Sequence, residues 1–128
     1  MNRDEIIKVL KKYNFNPKKY LVVGGAALIL YGLRDKTNTI DITTTKGYLD
    51  ELLKEYDCTL ERVNKDGTSC YLIDNIINIG ASYYKRRREY IEGFPIQTIE
   101  DLIELKQKLN RPKDRKDLKA IFEYIENS

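Results

Sequence analysis

Two short stretches of this sequence combine residue types suited to phosphate and metal chemistry. The first is Val22-Val23-Gly24-Gly25-Ala26-Ala27, where an apolar run meets a glycine pair and then good helix formers. Glycines at a strand-to-helix turn let the backbone approach a ligand closely, and the free N–H groups of the following helix favour anions such as phosphate. The second is Thr39-Ile40-Asp41-Ile42-Thr43. Strand alternation puts Thr39, Asp41 and Thr43 on one face and Ile40 and Ile42 on the other. A carboxylate on a strand whose back is apolar can hold a hard cation such as Mg²⁺. Each stretch taken alone also has a plainer reading. A Gly-Gly turn can simply make a corner, and an aspartate can sit in water at a sheet edge. No histidine is present. That removes Ser–His and Cys–His nucleophile pairs and His-ligated zinc.

The elements that must carry these residues follow from periodicity. Ile6, Ile7, Leu10 and Tyr13 predict a helix over 3–13, ended by the stretch around Pro17. Tyr20 to Val23 reads as a buried strand, and Ala26 to Leu33 as a buried helix. Thr37 to Thr45 is β-branched almost throughout and reads as a strand. Tyr48, Leu49, Leu52, Leu53 and Tyr56 form the stripe of a helix over 46–56. Strands over 58–63 and 68–73 flank Asn64-Lys65-Asp66-Gly67, and Asp-Gly is a strong hairpin turn. With Asp66-Gly67 as the two turn residues, Val63 faces Cys70. A disulfide between Cys58 and Cys70 is not expected in that register, and both thiols read as small core residues. Ile76 to Ile79 reads as a strand. Residues 81–90 give no clear pattern, and Tyr90 to Gln97 reads as extended. Thr98-Ile99-Glu100-Asp101 resembles a capping box opening a helix to about Leu109. Pro112 suits the first turn of a last helix to about Ile125. The order predicts one α/β (α+β) domain over 1–128, a small mixed sheet flanked by helices with a C-terminal helical pair.

With 128 residues, 41% hydrophobic and 34% charged, the chain can bury a single core and is not of disordered composition. No apolar run is long enough for a membrane helix. Met1-Asn2-Arg3-Asp4-Glu5 lacks the charged-then-apolar order of a signal peptide, so the expected location is the cytoplasm. The net charge of +3 is mild, but the basic groups cluster. Residues 85–88 read Lys-Arg-Arg-Arg, preceded by Tyr83 and Tyr84, a combination able to contact phosphates and stack a base. Such a run equally forms a solvated loop.

The combination of Val23-Gly24-Gly25-Ala26-Ala27, Tyr31-Gly32-Leu33-Arg34, Thr37 and Thr39-Ile40-Asp41-Ile42 resembles the signature of the nucleotidyltransferase (polymerase-beta-like) superfamily. The thirteen residues between Gly25 and Thr39 fall inside that family's window. The C-terminal part, from Thr98 to Lys106 and on through Asn110-Arg111-Pro112-Lys113-Asp114 to Asp117, is similar to the helical tail of small bacterial members of toxin–antitoxin and abortive-infection type. The resemblance implies a nucleotidyltransferase-like fold. In it Gly24 and Gly25 hold a nucleoside triphosphate, Asp41 binds Mg²⁺, and Arg34, Lys106, Arg111 and Lys113 border the nucleotide. An acceptor hydroxyl, on a protein, an RNA end or a small molecule, then attacks the α-phosphorus and pyrophosphate leaves.

Two of the three expected carboxylates are replaced. The first position is Thr39 and the third falls on Asn78, leaving Asp41. Three readings follow. One is a transferase with a rearranged carboxylate set, for which Asp35 and Asp74 lie near in sequence. Another is a module that only binds a nucleotide or a partner, such as a cognate toxin or antitoxin. The third is a basic RNA-binding domain. Lys106 interrupts the apolar face of Ile99, Leu102 and Ile103, and Asp114 extends the stripe of Leu118, Ile121, Phe122 and Ile125. Lys106 and Asp114 are therefore expected to meet at the edge of the core, either as a structural pair or beside the nucleotide.

Overall fold

The computed structural model describes residues 1–82 and 84–127. Its first helix, α1 (Arg3–Tyr13), opens on a reciprocal cap. Asn2 accepts from the Glu5 amide, and Glu5 accepts from the Asn2 amide. That satisfies two of the donors a helix start leaves open. Ile6 and Leu10 are its fully buried stripe. Strand β1 (Tyr20–Val23) leads directly into α2 (Gly24–Leu30), which starts earlier than the helix formers suggest and ends by Tyr31. Strand β2 (Ile40–Thr44) is shorter than its β-branched run, so Thr39 stands just before it. α3 (Lys46–Glu55) begins at the Thr45 cap, whose hydroxyl accepts from the Tyr48 amide.

The second half of the sheet comes from β3 (Cys58–Val63), β4 (Ser69–Ile73) and β5 (Ile77–Gly80). The stretch read as extended, Tyr90 to Gln97, folds with Glu89 into a further hairpin, β6 (Glu89–Ile91) and β7 (Phe94–Ile96). The sheet is therefore larger than expected: seven strands in the order β3-β4-β5-β2-β1-β7-β6. It is mixed, with β2 parallel to β5 and β1 parallel to β7, and the other neighbours antiparallel. Two helices close the chain, α4 (Ile99–Leu109) and α5 (Pro112–Glu126). The Thr98 hydroxyl caps α4 by accepting from the Asp101 amide, while the Asp101 carboxylate turns instead to Arg87.

Register assigns the two faces. Val22, Ile42 and Ile79 line up across β1, β2 and β5, as do Ile40, Ile77 and Ile73 across β2, β5 and β4. These side chains form the core with Ile6 and Leu10 of α1, the α2 residues and Leu49 and Leu52 of α3. The other face carries Val23, Asp41, Asn78 and Leu72 in one cross-strand row. The alternation expected for β2 is thus realised: isoleucines point into the core and Asp41 points away from it.

Three expectations need correction. The hairpin register is one residue off. Asn64 pairs with Thr68, Gly67 returns a bond to Asn64 at φ +87°, and Arg62, not Val63, faces Cys70. The loop is three residues with glycine in the left-handed region, a geometry that competes with the two-residue turn. On α5, Ile121 alone of the apolar stripe is fully buried. Phe122 and Ile125 are 44% and 45% exposed. Of the cysteines, Cys70 is buried and Cys58 only half-buried, and both are free thiols.

Candidate functional site

The polar face of the sheet opens into a cleft of about 600 Å³. Asp41 lies at its centre, delivered by β2. Beside it, Gly24 adopts φ +62°, which glycine tolerates at no steric cost. A Cβ at Gly24 would stand 3.5 Å from Asp41 Oδ2. A Cβ at Gly25 would come within 2.8 Å of Arg34 Nη1, closer than real contacts allow. Gly25 therefore does more than turn a corner, leaving room for the Arg34 guanidinium. A Cβ at Gly24 would make only an ordinary contact with Asp41, and it is the positive φ that favours glycine there.

Thr39 donates its hydroxyl to Asp41 Oδ1 at 3.1 Å. Burial raises the Asp41 carboxyl above its ordinary pKa, because the charged form loses hydration. The bond from Thr39 and the charges of Arg62 and Lys113 oppose that rise, and Glu61 adds to it. Asn78 is backbone-paired with Asp41 across β2 and β5. Its side-chain amide donates to the Glu61 carboxylate, so its carbonyl oxygen is left free to accept.

The residues that the resemblance assigns to the site all line this one cleft. Thr39, Asp41 and Asn78 stand on the sheet side with Gly24, Gly25 and Arg34, and Lys106, Arg111 and Lys113 come from the helical tail. Lys106 is only 5% exposed. Its Nζ reaches Asp114 at 3.3 Å and Asp117 at 3.0 Å. The fully buried Asp114 also accepts from Arg111 Nε at 2.6 Å and from the Arg111 amide at 3.0 Å. The Arg111 guanidinium holds the Asp114 carboxyl well below the usual carboxylate range. Lys106 is thus at once a structural partner and a wall of the cleft.

Two further carboxylates and the basic run fall outside the cleft. Asp35 and Asp74 do not line it, and Asp74 accepts from the Tyr13 hydroxyl instead. The basic run also lies away from it, with much of its hydrogen bonding spent internally. Arg88 donates to the Pro17 carbonyl at 2.5 Å and to the Tyr84 hydroxyl at 2.7 Å, and Arg87 pairs with buried Asp101 at 2.5 Å. Tyr83, the first half of the suggested stacking pair, lies outside the described residues.

The cleft adds residues that the sequence did not single out: Lys36, Arg62, Asn64 and Ser82. Lys36 is two residues from Arg34, a spacing that marks it in retrospect. Arg62 was hidden by the one-residue register slip, which moves a side chain to the other face of a sheet.

A family model described as nucleotidyltransferase of unknown function (DUF6036) matches residues 1–123. Among solved structures, a Thermotoga maritima protein provisionally described as a nucleotidyltransferase is similar in fold. Its TM-score is 0.62 at 16% identity, covering 100% of this chain and 97% of that one. No curated protein matches the chain significantly.

Proposed function

The chain belongs to this nucleotidyltransferase family, and from that premise we propose that its cleft binds a nucleoside triphosphate. The supporting observation is the charge of the lining. Arg34, Lys36, Arg62, Lys106, Arg111 and Lys113 surround the cleft, with Asp41 the one carboxylate among the described lining residues. Such a wall attracts polyphosphate and repels cationic ligands.

The donor set could hold at most one Mg²⁺ and does not fit a pair. Asp41 would hold that ion, with the Thr39 hydroxyl and the Asn78 carbonyl oxygen as neutral oxygen donors. When bound, the ion would polarise phosphoryl oxygens. The chain's own groups carry the rest. Gly24 turns the chain beside Asp41, Arg34 stands over Gly25, and Lys113 reaches in from the start of α5. Attack by an acceptor hydroxyl on the α-phosphorus, with pyrophosphate leaving, needs a group to take the hydroxyl proton. Among the described residues, Asp41 is the lone lining carboxylate for that role. The site therefore favours binding over efficient transfer.

Calorimetric titration of ATP, GTP, CTP and UTP tests the reading. We expect saturable one-to-one binding of at least one nucleotide, weakened about tenfold in Arg34→Gln, the size of one charge-assisted phosphate contact. Absence of binding for all four nucleotides would overturn it.

A further inference from the structure

We infer that the polyphosphate is held here by side-chain cations, Arg62 foremost, so that nucleotide binding needs no divalent metal. The inference rests on the nucleotide reading above and concerns how that site holds its ligand.

Arg62 reaches the cleft through an irregularity in β3. Pairing with β4 steps from Leu60↔Tyr71 to Arg62↔Cys70, leaving Glu61 without a partner. A bulge of this kind sets two consecutive residues against one and re-aims their side chains. Thr59 faces Leu72, which lies in the row of Asn78 and Asp41. Strict alternation from Thr59 would bring Glu61 to that face and send Arg62 to the other. The bulge brings both. Glu61 accepts from the Asn78 amide, and Arg62 enters the cleft lining. Arg62 Nε donates to Asn64 Oδ1 at 3.1 Å, which braces the guanidinium and leaves its two terminal nitrogens free of hydrogen bonds to described residues.

The charges then sort into two groups. Lys106 and Arg111 are already committed to Asp114 and Asp117. Arg34, Lys36, Arg62 and Lys113 form no ion pair among the described residues. Four uncommitted cations face Asp41, with Glu61 beside it held on the Asn78 amide. A free triphosphate matches that excess better than its Mg²⁺ complex, which arrives with part of its charge cancelled. Guanidinium forks also bind phosphate oxygens in pairs, a geometry that suits Arg34 and Arg62.

The experiment titrates ATP and inorganic tripolyphosphate into the intact protein, with Mg²⁺ and then with EDTA. The expected result is an ATP Kd in EDTA within about tenfold of that in Mg²⁺, or tighter. In EDTA, Arg62→Gln should weaken both ligands about tenfold or more, and Arg62→Lys should recover part of the loss. Because Arg62 is solvent-exposed, both variants should fold, which far-UV circular dichroism checks. ATP binding more than about tenfold weaker in EDTA would overturn the inference and leave the nucleotide site standing. Unchanged binding by Arg62→Gln in EDTA would overturn the part given to Arg62. No binding of either ligand in either condition would overturn the nucleotide reading itself, and this inference with it.

Discussion

Asp114 shows how far one side chain can join stability to a site. It is fully buried between α4 and α5, and it accepts from Lys106 and from the Arg111 side chain and amide. Burial alone would penalise its charge, and the bonds from Arg111 and Lys106 overcome that penalty. The folded-state pKa is therefore depressed below the unfolded value, near 3.9 for a free aspartate. The stabilisation is fully present above that value and is lost as pH falls below it toward the folded pKa. Acid unfolding should thus steepen below about pH 4 in the wild type. Asp114→Asn should flatten that steep part and cost about 3 kcal/mol at neutral pH, since Arg111 loses its charge partner and Lys106 keeps only Asp117. Urea titrations of both proteins across the acid range measure the slope and the offset together.

The last helix and the first hairpin show what local pattern carries and where it stops. Both apolar and charged residues of α5 repeat at helical spacing, and the helix forms where that spacing says. The pattern does not say how much of the stripe is covered. Ile121 is fully buried and joins the core, while Phe122 is 44% exposed. Ile121→Ala should therefore cost about 2–5 kcal/mol. Phe122→Ala, the larger truncation, should cost less than about 1 kcal/mol. Equal losses in thermal and urea unfolding would show that the outer side of α5 is covered in solution. In the hairpin, Asp66-Gly67 correctly marks the turn. The loop takes three residues because Asn64 pairs with Thr68 and Gly67 supplies the left-handed residue. That single step decides that Arg62, rather than Val63, stands opposite Cys70.

At the scale of the molecule, the described core runs from Ile6 of α1 to Ile121 of α5 without division. No described helix is long and apolar enough to cross a membrane. One continuous core predicts a single cooperative unfolding transition, with far-UV circular dichroism and tyrosine fluorescence coincident in urea. Separate midpoints would reveal a helical tail that folds on its own. The helices and central strands were legible in the sequence because their signals are local: caps such as Asn2 and Thr98, stripes such as Ile6 and Leu10, and the alternation around Asp41. The glycine pair and Asp41 pointed to the cleft for the same reason, since they need only neighbours a few residues away. The extended run of Tyr90 to Gln97 was legible, but its pairing as the β6–β7 hairpin beside β1 was not, because its three-residue strands offer no alternation to read. Nor was the meeting of Glu61 with Asn78, or the entry of Arg62 beside Asp41. Those depend on register and on a bulge, which are properties of strand pairs. Residue types and their local spacing announced a phosphate-suited turn and a lone carboxylate. Pairing across the sheet, and the packing of α4 and α5 against it, brought a wall of cations around them.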